Sequence, residues 1–112
     1  MIEIGQSVPD FELPAHDGAS VRLSESLKQG AVVLYFYPAD FTPVCTAQAC
    51  MVRDAHEKLM ASGYQVLGVS PQSAESHEKF DAKHGLGFTL LADTDKSVIK
   101  AYGASAAFGL LT

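Results

Sequence analysis

The sequence predicts an α/β fold, a largely parallel sheet flanked by helices, on three observations. Apolar runs of strand length at residues 31–37, 66–69 and 88–92 alternate with helix-length segments at about 43–62, 74–84 and 95–102. Strand, helix, strand, helix in that order is the pattern of parallel βαβ units. The helical segments carry start or stop residues of their own, and 112 residues suit one domain, residues 1–112, able to bury about two thirds of its unfolded surface.

Taken in order, Phe11-Glu12-Leu13 and Val21-Arg22-Leu23 flank Asp17-Gly18, a strong turn signal, and predict an N-terminal hairpin. Ser24 is placed to cap a short helix through Leu27, closed by Gly30. The run Ala31-Val32-Val33-Leu34-Tyr35-Phe36-Tyr37 is apolar on both faces and reads as a central strand covered by helices on each side. In the helix that follows, Ala47, Met51, Ala55 and Leu59 recur at spacing four and predict the stripe facing the sheet, with Met51 and Met60 in the core and Gly63 as the stop. Val66-Leu67-Gly68-Val69 is a second buried strand leaving through Ser70-Pro71. Ser73 or a neighbour caps a helix to His84, closed by Gly85. Phe88-Thr89-Leu90-Leu91-Ala92 is a third strand, and Asp95 opens a helix through Tyr102. Residues 104–112 are small and apolar, without the polar character of a frayed end.

Composition narrows the function. Hydrophobic residues at 47% and charged residues at 19% exclude a disordered chain. Eight basic against thirteen acidic residues, net −5 with no basic cluster, argue against nucleic acid or anionic membrane as partner. No stretch approaches the roughly 18 apolar residues of a membrane span, and the start lacks a signal-peptide pattern, so the expected location is cytoplasmic. In a reducing compartment two cysteines point to catalysis or redox sensing more than to a staple.

Their placement is informative. Cys45 follows Pro38-Ala39-Asp40-Phe41-Thr42-Pro43-Val44 directly after a strand run. Thr42 is a good N-cap and Pro43 a good first helical residue, which makes Cys45 the third. Free backbone N–H groups and the positive end of the helix dipole there favour thiolate over thiol. Cys50 lies five residues on in the same helix, where Cα atoms are roughly 8 to 9 Å apart. A disulfide needs about 7 Å or less. A bond between the two requires the first turns of the helix to unwind, and the pair is not the Cys-x-x-Cys of a thioredoxin-type dithiol.

The stretch resembles the peroxiredoxins, in particular their bacterioferritin-comigratory or Q-type branch. The family's peroxidatic loop, Pro-x-x-x-Thr-x-x-Cys, is matched by Pro38, Thr42 and Cys45, and its resolving cysteine five residues on by Cys50. Val8-Pro9-Asp10-Phe11-Glu12-Leu13, Gly68-Val69-Ser70-Pro71, Ser76-His77, Lys79-Phe80 and Leu90-Leu91-Ala92-Asp93 extend the likeness along essentially the whole chain. The resemblance implies a thioredoxin-like fold and a peroxidase: Cys45 attacks a peroxide, Cys50 resolves the sulfenic acid, and thioredoxin or a similar dithiol restores both. Thr42 would hydrogen-bond a peroxide oxygen and Pro38 wall the pocket. It implies no cofactor, no metal, and a monomer or dimer. One departure stands out. The family's active-site arginine lies beyond the segment matched by Ala101-Tyr102-Gly103, whereas the arginines here are Arg22 and Arg53. The chain is therefore expected to be truncated, matching about the first three quarters of a peroxiredoxin without its last strands and helix.

Other readings compete with this one. A catalytically impaired fragment acting as a binding or assembly module accounts for the missing cation. A general thiol–disulfide oxidoreductase is disfavoured because Cys-x4-Cys cannot close without unfolding. Zinc on His56, His77 and His84 lacks the necessary spacing. His84 suits the end of its helix, His16 is expected to be solvated, and Asp93-x-Asp95 reads as strand exit and helix cap.

Overall fold

The computed structural model describes residues 5–103, excluding the side chains of Val44 and Cys45; residues 104–112 of the sequence reading lie outside the described part. A hairpin comes first, β1 (Glu12–Pro14) antiparallel to β2 (Ser20–Arg22), with Leu13 opposite Val21. The short helix α1 (Leu23–Leu27) follows, then β3 (Val32–Phe36), α2 (Pro43–Ala61), β4 (Gln65–Ser70), α3 (Ala74–His84), β5 (Thr89–Ala92) and α4 (Ser97–Ala101). Strands β3, β4 and β5 form a parallel sheet in that order, with Leu34 beside Leu67 and Val69 beside Leu91. This is the thioredoxin-like α/β arrangement that the sequence implies.

Alternation along the strands splits the core into two layers, because successive side chains point to opposite faces. Leu67, Val69 and Leu91, with Val32, Leu34 and Phe36, pack against Phe11, Leu13, Leu23, Val98, Ile99 and Tyr102 of the hairpin, α1 and α4. Val66, Leu90 and Tyr37, with Tyr35, pack on the other side against Ala49, Val52 and Leu59 of α2 and against Phe80, Leu86 and Phe88. Gly68 in the middle of β4 is required by crowding: a Cβ there would lie 2.8 Å from Leu90 Cδ2 and 3.4 Å from Phe88.

Helix ends follow local chemistry. Ser73 Oγ accepts the Ser76 N–H at 3.1 Å and caps α3, as its sequence predicts. Beyond α2, the Tyr64 N–H reaches Leu59 O at 2.9 Å and the Gly63 N–H reaches Met60 O at 3.0 Å, with Gly63 at φ +86°. That pair of bonds is the Schellman stop, which needs the left-handed conformation that glycine adopts without strain.

Five expectations are corrected. Strand β3 lies at the edge of the sheet among the described residues, and β4 is the central one; Val33 is accordingly exposed. An apolar run does not distinguish the two places. In α2, Ala47, Met51 and Ala55 face outward, and Ala49, Val52, His56 and Leu59 turn toward the sheet. A strict four-residue step drifts about 40° per repeat, whereas alternating threes and fours stay on one face. Met51 and Met60 are 71% and 59% exposed and are not core. Ser24 is inside α1 and not its cap: Asp10 stands in, accepting the Ser24 N–H and hydroxyl, both at 2.9 Å. His16 is not solvated. Its N–H donates to Leu90 O at 3.0 Å, its Nδ1 accepts from the Leu90 N–H at 3.1 Å, and its Nε2 faces Asp81 Oδ2 at 3.4 Å, so it fastens the hairpin to the outer edge of β5.

Candidate active site

The segment between β3 and α2 lies at the carboxyl end of the sheet, where side chains of open α/β sheets meet ligands. Tyr37 leaves β3 buried, with its N–H donating to Val69 O at 3.0 Å. Pro38 and Thr42 are half-buried. The Thr42 carbonyl accepts the Thr46 N–H at 2.8 Å, so Thr42 stands at the N-cap position and Pro43 begins α2. Cys45 is then the third residue of the helix by its backbone; its side chain lies outside the described part. Cys50 is a free, half-buried thiol two turns into the same unbroken helix. The two cysteines thus share a continuous helical stretch, the condition under which they cannot be bonded to each other.

Phe41 breaks the regularity of this turn. Its φ is +64°, uncommon for a bulky residue, and worth about 1–2 kcal/mol of strain unless its surroundings impose it. They do so from both sides. The ring packs edge-on against Phe80 with centroids 5.1 Å apart, and Lys83 Nζ lies 5.9 Å from its centroid. Asp40, immediately before it, is buried and held at its amide and at both carboxylate oxygens: its N–H donates to Gln72 Oε1 at 2.7 Å, and its carboxylate accepts Tyr37 OH at 2.7 Å, Ser76 Oγ at 2.7 Å and His77 Nδ1 at 2.8 Å.

His77 is itself fully buried, and its Nε2 donates to Leu91 O at 3.0 Å. The Leu91 carbonyl only accepts, so Nε2 carries a proton, while Nδ1 meets the Asp40 carboxylate in a buried pair and also lies 3.3 Å from Tyr37 OH. Burial alone would raise the Asp40 pKa, but the hydrogen bonds from His77, Ser76 and Tyr37 outweigh it and hold the carboxyl below its ordinary value. The sequence reading missed this network. Tyr37 reads as a strand-face residue, Asp40 as an unspecified position of the Pro-x-x-x-Thr loop and Ser76-His77 as part of the family likeness; nothing local links partners 36 and 37 positions apart.

Arg53 supplies no cation at the helix start. Its Nη1 donates to His84 O at 2.9 Å and its Nε to Asp54 at 3.0 Å, which turns it toward the end of α3. Asp93, expected at a strand exit, is a buried helix cap: its carboxylate accepts the Ile99 N–H at 2.8 Å and the Val98 N–H at 3.3 Å, while Asp95 accepts the Ser97 N–H at 2.9 Å.

With this geometry in place, comparison with known proteins identifies the lineage. The family model described as "AhpC/TSA family" matches residues 4–109. The chain belongs to the AhpC/TSA family. Within it, the relatives are peroxiredoxins of the Bcp and Q type. The chain is 48% identical over 101 residues to "Peroxiredoxin Bcp" of Bacillus subtilis, a match covering 90% of this chain and 64% of that one. It is 47% identical over 108 residues to "Peroxiredoxin Q, chloroplastic" of Oryza sativa subsp. japonica, covering 96% and 49%. Among solved structures, the Xanthomonas campestris bacterioferritin comigratory protein superposes with a TM-score of 0.77 at 32% identity, over 83% of this chain and 59% of that one. The chain therefore spans about half to two thirds of the length of these relatives, less than the three quarters expected. That one of them is chloroplastic means that family membership alone does not fix a compartment.

Proposed function

We propose that the chain carries the peroxide-reducing end of a thiol peroxidase, with Cys45 as attacking thiol and Cys50 as resolving thiol. The observation that carries this reading is the position of Cys45 as third residue of α2, five residues before Cys50 and directly after the Pro38–Thr42 turn. Backbone N–H groups and the dipole at a helix start favour the thiolate.

The Cys45 thiolate attacks one oxygen of the O–O bond. That bond breaks, sulfur is oxidised to sulfenic acid, and the leaving alkoxide or hydroxide takes up a proton to depart as alcohol or water. After the first turns of α2 open, the Cys50 thiolate attacks the sulfenic sulfur, the S–S bond forms and water leaves. A thioredoxin-type dithiol then reduces the disulfide by two exchange steps. Thr42 donates its hydroxyl to a peroxide oxygen, Pro38 shields the sulfur from bulk water, and N–H groups of the helix start polarise the O–O bond. The Xanthomonas campestris protein is described by its alkyl peroxide reduction activity; carried over to this chain, that makes alkyl hydroperoxides substrates beside hydrogen peroxide. The cytoplasm is the compartment that fits two thiols kept reduced between turnovers.

Reduced protein mixed with one equivalent of hydrogen peroxide tests the reading by a count of free thiols. Loss of two thiols within seconds is the expected result, with Cys50→Ser stopping at one. Thiols that decay no faster than free cysteine would leave a catalytically impaired module.

A further inference from the structure

The Asp40–His77 pair is buried and has no part in the proposed chemistry. It lies where three elements meet beside the thiol-bearing helix. Asp40 belongs to the turn that delivers Thr42, His77 to α3, and the His77 ring reaches the carbonyl of Leu91 in β5. Tyr37 at the end of β3 and Ser76 on α3 complete the same carboxylate. Three donors to one carboxylate, from His77, Ser76 and Tyr37, and an Asp40 amide that itself donates to Gln72 are more than a surface loop needs. The next residue, Phe41, is held at positive φ.

We infer that Asp40 and His77 are positioning residues for the start of α2: the pair clamps the Pro38–Thr42 turn to α3 and β5, fixes Phe41 in its left-handed conformation, and so determines how readily the first turns of the helix open. The inference rests on the proposed reading only in taking Cys45 as the reacting thiol. Opening of those turns is the step that the Cys45–Cys50 bond requires, and the clamp sits one residue before the strained position and two before the N-cap. A cavity-filling role would ask only that the side chains be large. A clamp asks for the contact between Nδ1 and the carboxylate, the shorter of the two that Nδ1 makes.

That distinction sets the experiment. In His77→Asn the amide nitrogen takes the place of Nδ1 and keeps the bond to Asp40; in His77→Gln it takes the place of Nε2 and keeps the bond to Leu91 instead. Hydrogen exchange is followed on the full chain, fully reduced and without peroxide. The probe is the Thr46 amide, which closes the first turn of α2 on Thr42, and the references are the Gln65 and Tyr102 amides, bonded to Ala31 O and Val98 O. In the Gln variant Thr46 is expected to exchange about tenfold faster with the references unchanged, and in the Asn variant less than about threefold faster. Equal acceleration in the two variants, acceleration shared by the references, or no change at Thr46 overturns the inference. Tyr37→Phe, which removes one hydroxyl from the carboxylate and keeps the ring, serves if the Gln variant does not fold: about a threefold effect at Thr46 is expected, and none overturns the clamp. Iodoacetamide alkylation of Cys45 in a Cys50→Ser background adds a readout that general destabilisation does not move, with a slowing of about tenfold expected for His77→Gln in the folded protein. Were peroxide to leave the wild-type thiols intact, the proposed activity would fail while the exchange result still judged the clamp.

Discussion

Asp93 leaves β5 and Asp40 leaves the neighbourhood of β3, both with side chains removed from water, yet their partners differ in kind. Asp93 accepts the backbone N–H groups of Val98 and Ile99, five and six residues on, and the Ser97 hydroxyl at 3.4 Å, all at the start of α4. Asp40 gives its oxygens to side chains, two of them on α3 at distances of 36 and 37 residues in sequence. A carboxylate whose partners all lie in one neighbouring element holds that element alone. A carboxylate satisfied by side chains from other elements holds those elements in relation to each other, and its release moves one against another. The first arrangement supports the fold; the second suits a place that has to be firm at rest and able to open.

The largest effects separate these roles. Asp40→Ala or His77→Ala alone leaves a buried charge without its partner and is expected to cost about 3–5 kcal/mol, while the double variant loses less than the sum, with a coupling of about 1–3 kcal/mol. Urea denaturation of the four proteins in the cycle measures it. Asp93→Ala strands two buried N–H groups and is expected to cost about 2–3 kcal/mol. Combined with Asp40→Asn it should add within about 0.5 kcal/mol, because the two sites share no partner in the hydrogen-bond network; a larger coupling would break the comparison.

Acid sharpens it further. The Asp40 pKa is lowered on folding, so the folded protein binds fewer protons there than the unfolded chain does. Its contribution is complete above the ordinary value of 3.8 and is lost as pH falls through the lower folded value. Asp40→Asn is expected to flatten this part of the stability curve, read from urea midpoints between about pH 5 and 2. The smallest effect belongs to Ser73→Ala, which removes a local cap from α3 at about 1 kcal/mol and leaves the Asp40 contacts in place.

Legibility in the sequence follows the same division. The hairpin, the parallel βαβ order, the Ser73 cap and the Gly63 and Gly85 stops are readable, since each depends on residues within a few positions of one another, whereas α1 ends on Lys28 before the expected Gly30. The start of α2 is readable for that reason too: Thr42, Pro43 and Cys45 fall within four consecutive residues. What escaped was long-range. Whether β3 is central depends on which strands pair beside it, and whether Met51 faces in or out depends on where the sheet lies. His16 looked solvated because Leu90 and Asp81, which engage it, are 74 and 65 residues away. Asp40 and His77 each fit an ordinary local role, and only the crossing of a turn with α3 turns them into a pair.

The account depends on the sulfur of Cys45 being ionised by its place at the start of α2. The rate of iodoacetamide alkylation of Cys45, followed against pH in the Cys50→Ser protein, measures that directly. A midpoint well below that of an unstructured peptide with the same residues 40–49 is the expected result; a midpoint equal to the peptide's would contradict the account.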